Sequence, residues 1–173
     1  MLSNIIRSMK PHHSSYLNSG GKCLRFDIFL SDDFSGLQNV SQVYGIILNQ
    51  NTKMMRIVQL KSGAWTLPGG SIENGETFVD TLNREIKEET NLDLIQSTIK
   101  PLFFQNAYSK NERGEYEYSE TQVRYLAIAK VDKEFESDPD DGDVVANRWI
   151  EIKDLEEYIN WGETTKMIIE ILI

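Results

Sequence analysis

The chain has 173 residues, long enough for one well-packed domain and short for two. Its 40% apolar and 26% charged residues are ordinary globular values, and its net charge of −9 argues against a broad nucleic-acid or anionic-membrane footprint, which needs a basic face. A phosphate-bearing small molecule is not excluded, because a bound metal and a few local cations reverse the field inside one cleft.

Met1 to Lys10 lack the apolar core of a signal peptide, and no run approaches the length of a membrane-spanning helix. Cys23 is the single cysteine, so no internal disulfide can form, and a soluble protein of the reducing cytoplasm is expected. Residues 11–22, rich in Ser, Gly, His and Asn, read as a loop, with His12-His13 as a disordered pair lacking a third ligand nearby. Leu24 to Leu30 could form one extra strand. Val43 to Leu48 and Met54 to Leu60 are short apolar runs separated by a polar linker, a hairpin pattern. Trp65-Thr66-Leu67 leads into the breaker Pro68-Gly69-Gly70.

A helix is expected next. Thr77 and Asp80 resemble a capping box, and Phe78, Val79, Leu82 and Ile86 form an apolar stripe. Glu85, Glu88 and Glu89 fall at i, i+3 and i+4, so a helix brings all three carboxylates to one face, beside the stripe and not opposite it. Like charges at these spacings cost roughly 0.2–0.5 kcal/mol per pair. A hard divalent cation, which takes oxygen ligands and substrate phosphates, would offset that cost. The pattern points to metal-assisted chemistry on a phosphate ester or anhydride.

Three further strands are expected at Leu102 to Tyr108, Gln122 to Val131 and Arg148 to Ile152. A turn around Asp154 to Ile159 and a helix from Glu163 to Ile171 close the chain. This order gives an α/β fold, a mixed sheet with helices on its faces. Asp138 to Asp143 read as a solvated acidic loop, because Gly142 and Trp149 occupy positions that a calcium loop needs for ligands.

The segment from Gly70 to Leu92 resembles the box of the Nudix hydrolases, G-x5-E-x7-R-E-U-x-E-E-x-G-U, where U is a bulky aliphatic residue. Gly70, Glu76, Arg84, Glu85, Ile86, Glu88, Glu89 and Leu92 are in register, and Asn91 replaces the second glycine. With usage of about 6–7% per residue type, six fixed matches arise by chance with a probability on the order of 10⁻⁸ per starting point. Asparagine is the residue next best suited to a left-handed helix end, so a normal terminus is expected at Asn91.

The resemblance implies an α/β/α sandwich over residues 40–173, with 1–39 as an N-terminal extension. It implies hydrolysis of a pyrophosphate bond in a nucleoside-diphosphate-linked small molecule, with Mg²⁺ or Mn²⁺ as cofactor. Dinucleoside polyphosphates, ADP-ribose or another nucleotide sugar, and noncanonical nucleoside triphosphates remain open. RNA 5′-pyrophosphate removal is disfavoured by the acidic balance, and a non-catalytic nucleotide sensor is the alternative of a different class.

Glu85, Glu88, Glu89 and the Gly70 carbonyl match the metal-holding positions, and Arg84 matches the arginine that orients the carboxylates. Asp143 is a further metal candidate. Glu85 comes first as general base, with Glu120 and Asp143 as alternatives. Tyr108 could stack on a base, although the end of a core strand is the weightier reading. Arg56, Lys61 and Arg124 could contact phosphates, but each reads first as a solvated surface charge. No duplex nucleic acid or membrane partner is expected. A homodimer could form through an added N-terminal strand pairing at a sheet edge.

Overall fold

Alternation along the strands sorts their side chains to two faces, and helices cover both. The computed structural model describes residues 10–19, 21–130 and 142–173. In chain order these hold β1 (His13–Ser19), β2 (Lys22–Leu30), β3 (Val40–Asn49), β4 (Met55–Leu60), β5 (Trp65–Thr66), β6 (Gly69–Ser71), α1 (Phe78–Thr90), β7 (Asp93–Leu94), β8 (Lys100–Lys110), β9 (Tyr116–Lys130), β10 (Val144–Ile150), α2 (Leu155–Tyr158) and α3 (Glu163–Leu172). The main sheet runs β1-β2-β8-β9-β3-β4-β10, while β5, β6 and β7 pair with β4, β3 and β9. The β3–β9 pairing is parallel and the others are antiparallel, so the sheet is mixed.

On one face Val43, Ile47, Phe104 and Val123 pack with Leu82 and Ile86 of α1. On the other, Ile46, Met55, Ile57 and Phe103 pack with Leu155 of α2 and with Met167 and Ile168 of α3. Burying each such side chain contributes about 1.5–3 kcal/mol. The result is the α/β/α sandwich. Among the described residues, no helix is long and apolar enough to cross a membrane.

Local chemistry explains the element ends. Asn49 Oδ1 accepts from the N–H groups of Asn51 and Thr52, at 2.8 and 3.0 Å, and so turns β3 into β4. At the start of α1, Thr77 and Asp80 exchange side-chain-to-backbone hydrogen bonds in a complete capping box. Asn91 ends the helix with φ +55°, its N–H donating to the Lys87 carbonyl.

Two expectations are corrected. Residues 11–22 are not a loop: His13–Ser19 is a strand paired from His13↔Ile28 to Ser19↔Lys22. Its polar sequence hides it, because an edge strand with one neighbour is held by ladder hydrogen bonds more than by apolar burial. Nor are His12 and His13 a disordered pair. His13 sits in β1 with Nε2 3.0 Å from Thr164 Oγ1, and burial holds its imidazole below the usual range. β2 pairs in turn with β8, so part of the segment before residue 39 extends the same sheet. β9 begins earlier than expected, at Tyr116, because its first residues are polar and pair only with the end of β8. Its expected last residue, Val131, and most of the 138–143 stretch lie outside the described residues.

The left-handed backbone at Asn91 makes a direct prediction. Asn91→Gly changes stability by less than about 0.5 kcal/mol, whereas Asn91→Val costs about 1–2 kcal/mol, measured by urea unfolding.

Candidate functional site

The site begins with two glycines that leave backbone bare. In β6, Gly69 pairs with Tyr44 and Gly70 with Val43. A Cβ on Gly69, where φ is +141°, would lie 2.3 Å from the Val43 carbonyl oxygen and 2.6 Å from Tyr44 Cα. Only glycine fits there. A Cβ on Gly70 would lie 2.5 Å from Glu85 Oε1, so the carboxylate of α1 packs directly on the glycine backbone. One helical turn on, Glu89 Oε2 accepts from the Gly69 N–H at 2.8 Å. The strand turn and the helix face thus meet through Glu85 and Glu89.

Arg84 gathers the remaining charge. Its Nε donates to Glu76 Oε1 at 2.7 Å, and Nη2 donates to Glu76 Oε2 and the Ser71 carbonyl at 3.1 and 2.9 Å. Nη1 bridges Glu85 Oε1 and Glu88 Oε2, at 2.8 and 3.1 Å. One guanidinium fork therefore ties three carboxylates to the backbone of β6. Arg84, with the Glu73 N–H and the Thr81 hydroxyl, holds the Glu76 carboxyl down at about 2. Burial outweighs Arg84 at Glu85 and pushes its carboxyl up.

The donor set of Glu85, Glu88, Glu89 and the Gly70 carbonyl is all hard oxygen, which suits Mg²⁺ or Mn²⁺. Among the described residues, no three acidic, histidine or cysteine side chains already form a metal-holding group. Arg84 bridges Glu85 and Glu88, and Glu89 is turned to the Gly69 N–H. Magnesium keeps several waters and recruits substrate phosphates, so a fully converged protein cage is not required. The residues fit the ion.

Glu120 lies across β3 from this group. It accepts from the Ser41 hydroxyl and, at 2.6 Å, from Gln122 Nε2. Burial raises the Tyr44 phenol, Arg124 opposes the rise, and the charges of Glu89, Glu120 and Glu85 add to it. These three carboxylates therefore share the surroundings of Tyr44. Asp143 is exposed beside the β4–β10 pairing, and its carbonyl accepts from the N–H of the exposed Lys61. Tyr108 is half-buried within β8, with one ring face covered by Arg25 at 4.2 Å and its edge against Tyr118.

Arg56 and Arg124 are not solvated surface charges. They are 7% and 4% exposed, each with its guanidinium over an aromatic ring, Trp149 and Tyr44, at 4.8 Å. Burial lowers both to about 10, so both stay charged at neutral pH. Arg124 also lines a cleft of about 650 Å³ on the α3 side of the sheet, together with Tyr44, Gln105, Gln122 and Trp161. Sequence reasoning missed those four. The signal available was the spacing of Gln122 and Arg124, two apart in a strand and so on one face.

A family model for the NUDIX domain matches residues 39–169. The chain belongs to the Nudix family. Members of this Nudix family generally depend on a divalent cation. An uncharacterized Nudix hydrolase of Nostoc sp. is 31% identical over 98 residues, covering 57% of this chain and 52% of that protein. The human 8-oxo-dGDP phosphatase NUDT18 is 37% identical over 91 residues, covering 51% of this chain and 24% of that protein. The match thus spans about half, or less, of these curated relatives' own length. Among solved structures, the Bacillus subtilis pyrophosphohydrolase BsRppH shares the fold with a TM-score of 0.64 at 14% identity, covering 91% of this chain and 94% of that one.

Gly70→Ala displaces the Glu85 carboxylate, and we expect Mn²⁺ affinity, read by electron paramagnetic resonance, to fall about 10–100-fold. The depressed carboxyl of Glu76 stabilises the fold above its unfolded value near 4.5, and that stabilisation is lost as pH falls toward about 2. Acid titration of unfolding free energy should therefore show a shallower loss between pH 4.5 and 2 in Glu76→Gln than in the unsubstituted chain.

Proposed function

We propose that this chain hydrolyses the phosphoric anhydride bond in a small molecule that contains a nucleoside diphosphate, with Mg²⁺ or Mn²⁺ as cofactor. One observation supports the reading most. Glu85 and Glu89 both reach the Gly69–Gly70 turn while Arg84 restrains Glu85 and Glu88, so hard oxygen donors stand around bare backbone. The likeness to a phosphatase of a nucleoside diphosphate in the human relative agrees with it.

In this reading Glu85, Glu88, Glu89 and the Gly70 carbonyl hold the cation. When bound, it withdraws charge from phosphate oxygens and lowers the pKa of a nearby water. Arg84 is a positioning residue that keeps the carboxylates aimed at β6. Glu85 is the general base of first choice, because its carboxylate packs directly on the Gly70 backbone, where the cation and its water would sit. Glu120, beside Tyr44, and Asp143 are the alternatives. The base takes the proton of the attacking water, its oxygen bonds to phosphorus, and the bridging oxygen departs with the electron pair of the broken P–O bond. Among the substrate contacts, Arg124 has the strongest support, because it lines a cleft; Arg56, Lys61 and Tyr108 have less.

The test is product analysis with Mg²⁺ or Mn²⁺ against ADP-ribose, nucleotide sugars, dinucleoside polyphosphates and nucleoside triphosphates. Cleavage of one class, reduced by at least about 100-fold in Glu88→Gln, is the expected result. Nucleotide binding with no cleavage of any class would instead favour a sensor.

A further inference from the structure

The three carboxylates of α1 are not held in the same way. Arg84 reaches Glu85 and Glu88 through Nη1. Glu89 stands in the last turn of α1, and its Oε2 accepts from the Gly69 N–H at 2.8 Å. A helix leaves its last four carbonyls without a donor inside the helix, and the Glu89 carbonyl is among these. Asn147 Nδ2 donates to it at 3.1 Å. A main-chain carbonyl only accepts, so the amide nitrogen and not the oxygen must face it. Glu89 is thus held from two strands, its carboxylate by β6 and its main chain by β10.

The strand β10 gives Asn147 a firm base. In the register with β4, Asn147 pairs with the buried Val58 and Trp149 with the buried Arg56. Residues two apart in a strand share a face, so Asn147 and Trp149 both turn to the α1 side. Trp149 packs against the cluster that includes Leu82 and Ile86 of the helix. Apolar packing is non-directional, whereas a hydrogen bond weakens steeply off its axis. Trp149 therefore sets how near α1 lies, and Asn147 sets where Glu89 stands along and around the helix axis. A ligand set works only when its members are held within about 0.5 Å of their productive places.

We propose that Asn147 is a positioning residue for the cation site: by holding the Glu89 main chain, it keeps the Glu89 carboxylate at the Gly69–Gly70 turn. The inference rests on the reading of Glu89 as a cation ligand and adds the residue that places it.

Mn²⁺ binding to the full chain, read by electron paramagnetic resonance without substrate, tests it. Asn147→Leu keeps the branched shape and removes the donor. Affinity should fall about tenfold, the low end of what losing an outer partner of a metal ligand gives. Melting temperatures are measured in parallel and binding is read well below them; Asn147→Ala takes the place of Asn147→Leu should the latter not fold. A merely structural role lowers affinity equally in any background. Positioning does not: added to Glu89→Gln, Asn147→Leu should lower affinity by less than about twofold further. An Asn147→Leu chain that melts earlier yet binds Mn²⁺ as before, or an equal loss in both backgrounds, would overturn the proposal. Loss of affinity in Glu89→Gln but not in Asn147→Leu counts against Asn147 alone. Unchanged affinity in Glu89→Gln, or no Mn²⁺ binding by the unsubstituted chain, overturns the ligand reading and the proposal together.

Discussion

Three carboxylates at one edge of a single helix repel one another, and the site depends on how this repulsion is met. Arg84 meets it with one fork that reaches Glu76, Glu85 and Glu88 and also the Ser71 carbonyl. Because Ser71 lies in β6, the same contacts that neutralise α1 also fix it against the sheet. Gly69 and Gly70 then become necessary for steric reasons, one crowded by the backbone of β3 and the other by the Glu85 carboxylate. Charge balance, helix position and bare backbone are one arrangement. A cation bound among these oxygens would complete it, and burial by itself already pushes the Glu85 carboxyl up.

The two faces of the sheet divide the work. On the α1 face, apolar residues of β3, β8 and β9 support the helix that carries the carboxylates. On the α3 face, the apolar packing gives way near β9 to a polar stripe of Glu120, Gln122 and Arg124, alternating with inward residues of the opposite face. Tyr44 of β3 joins the two regions. It pairs with Gly69 on the backbone, responds to Glu85 and Glu89, and stacks under Arg124.

Much of this was legible in the sequence, and what was not follows from particular forces. The helix was readable because three independent signals agree on it: the Thr77–Asp80 cap, the Leu82–Ile86 stripe and the left-handed Asn91. Strand β1 was hidden because an edge strand is held by backbone pairing, which leaves little periodic apolar pattern. The buried state of Arg56 and Arg124 was hidden for a different reason. An arginine in a strand looks the same whether its guanidinium meets water or an aromatic ring, and only the register of neighbouring strands places Trp149 opposite Arg56 and Tyr44 opposite Arg124. The polar network of Glu120 and Gln122 needs the same non-local pairing with β3. Spacing within one element shows a shared face; it does not show what that face meets.

If the arrangement is as described, the Gly69–Gly70 turn and the carboxylates of α1 together make one divalent-cation site. Anomalous diffraction from crystals of the full chain soaked in Mn²⁺ tests this most directly. The expected result is a manganese peak bounded by the Gly70 carbonyl and the carboxylates of Glu85, Glu88 and Glu89. A peak at Asp143, or none beside Gly70 at saturating Mn²⁺, would contradict it.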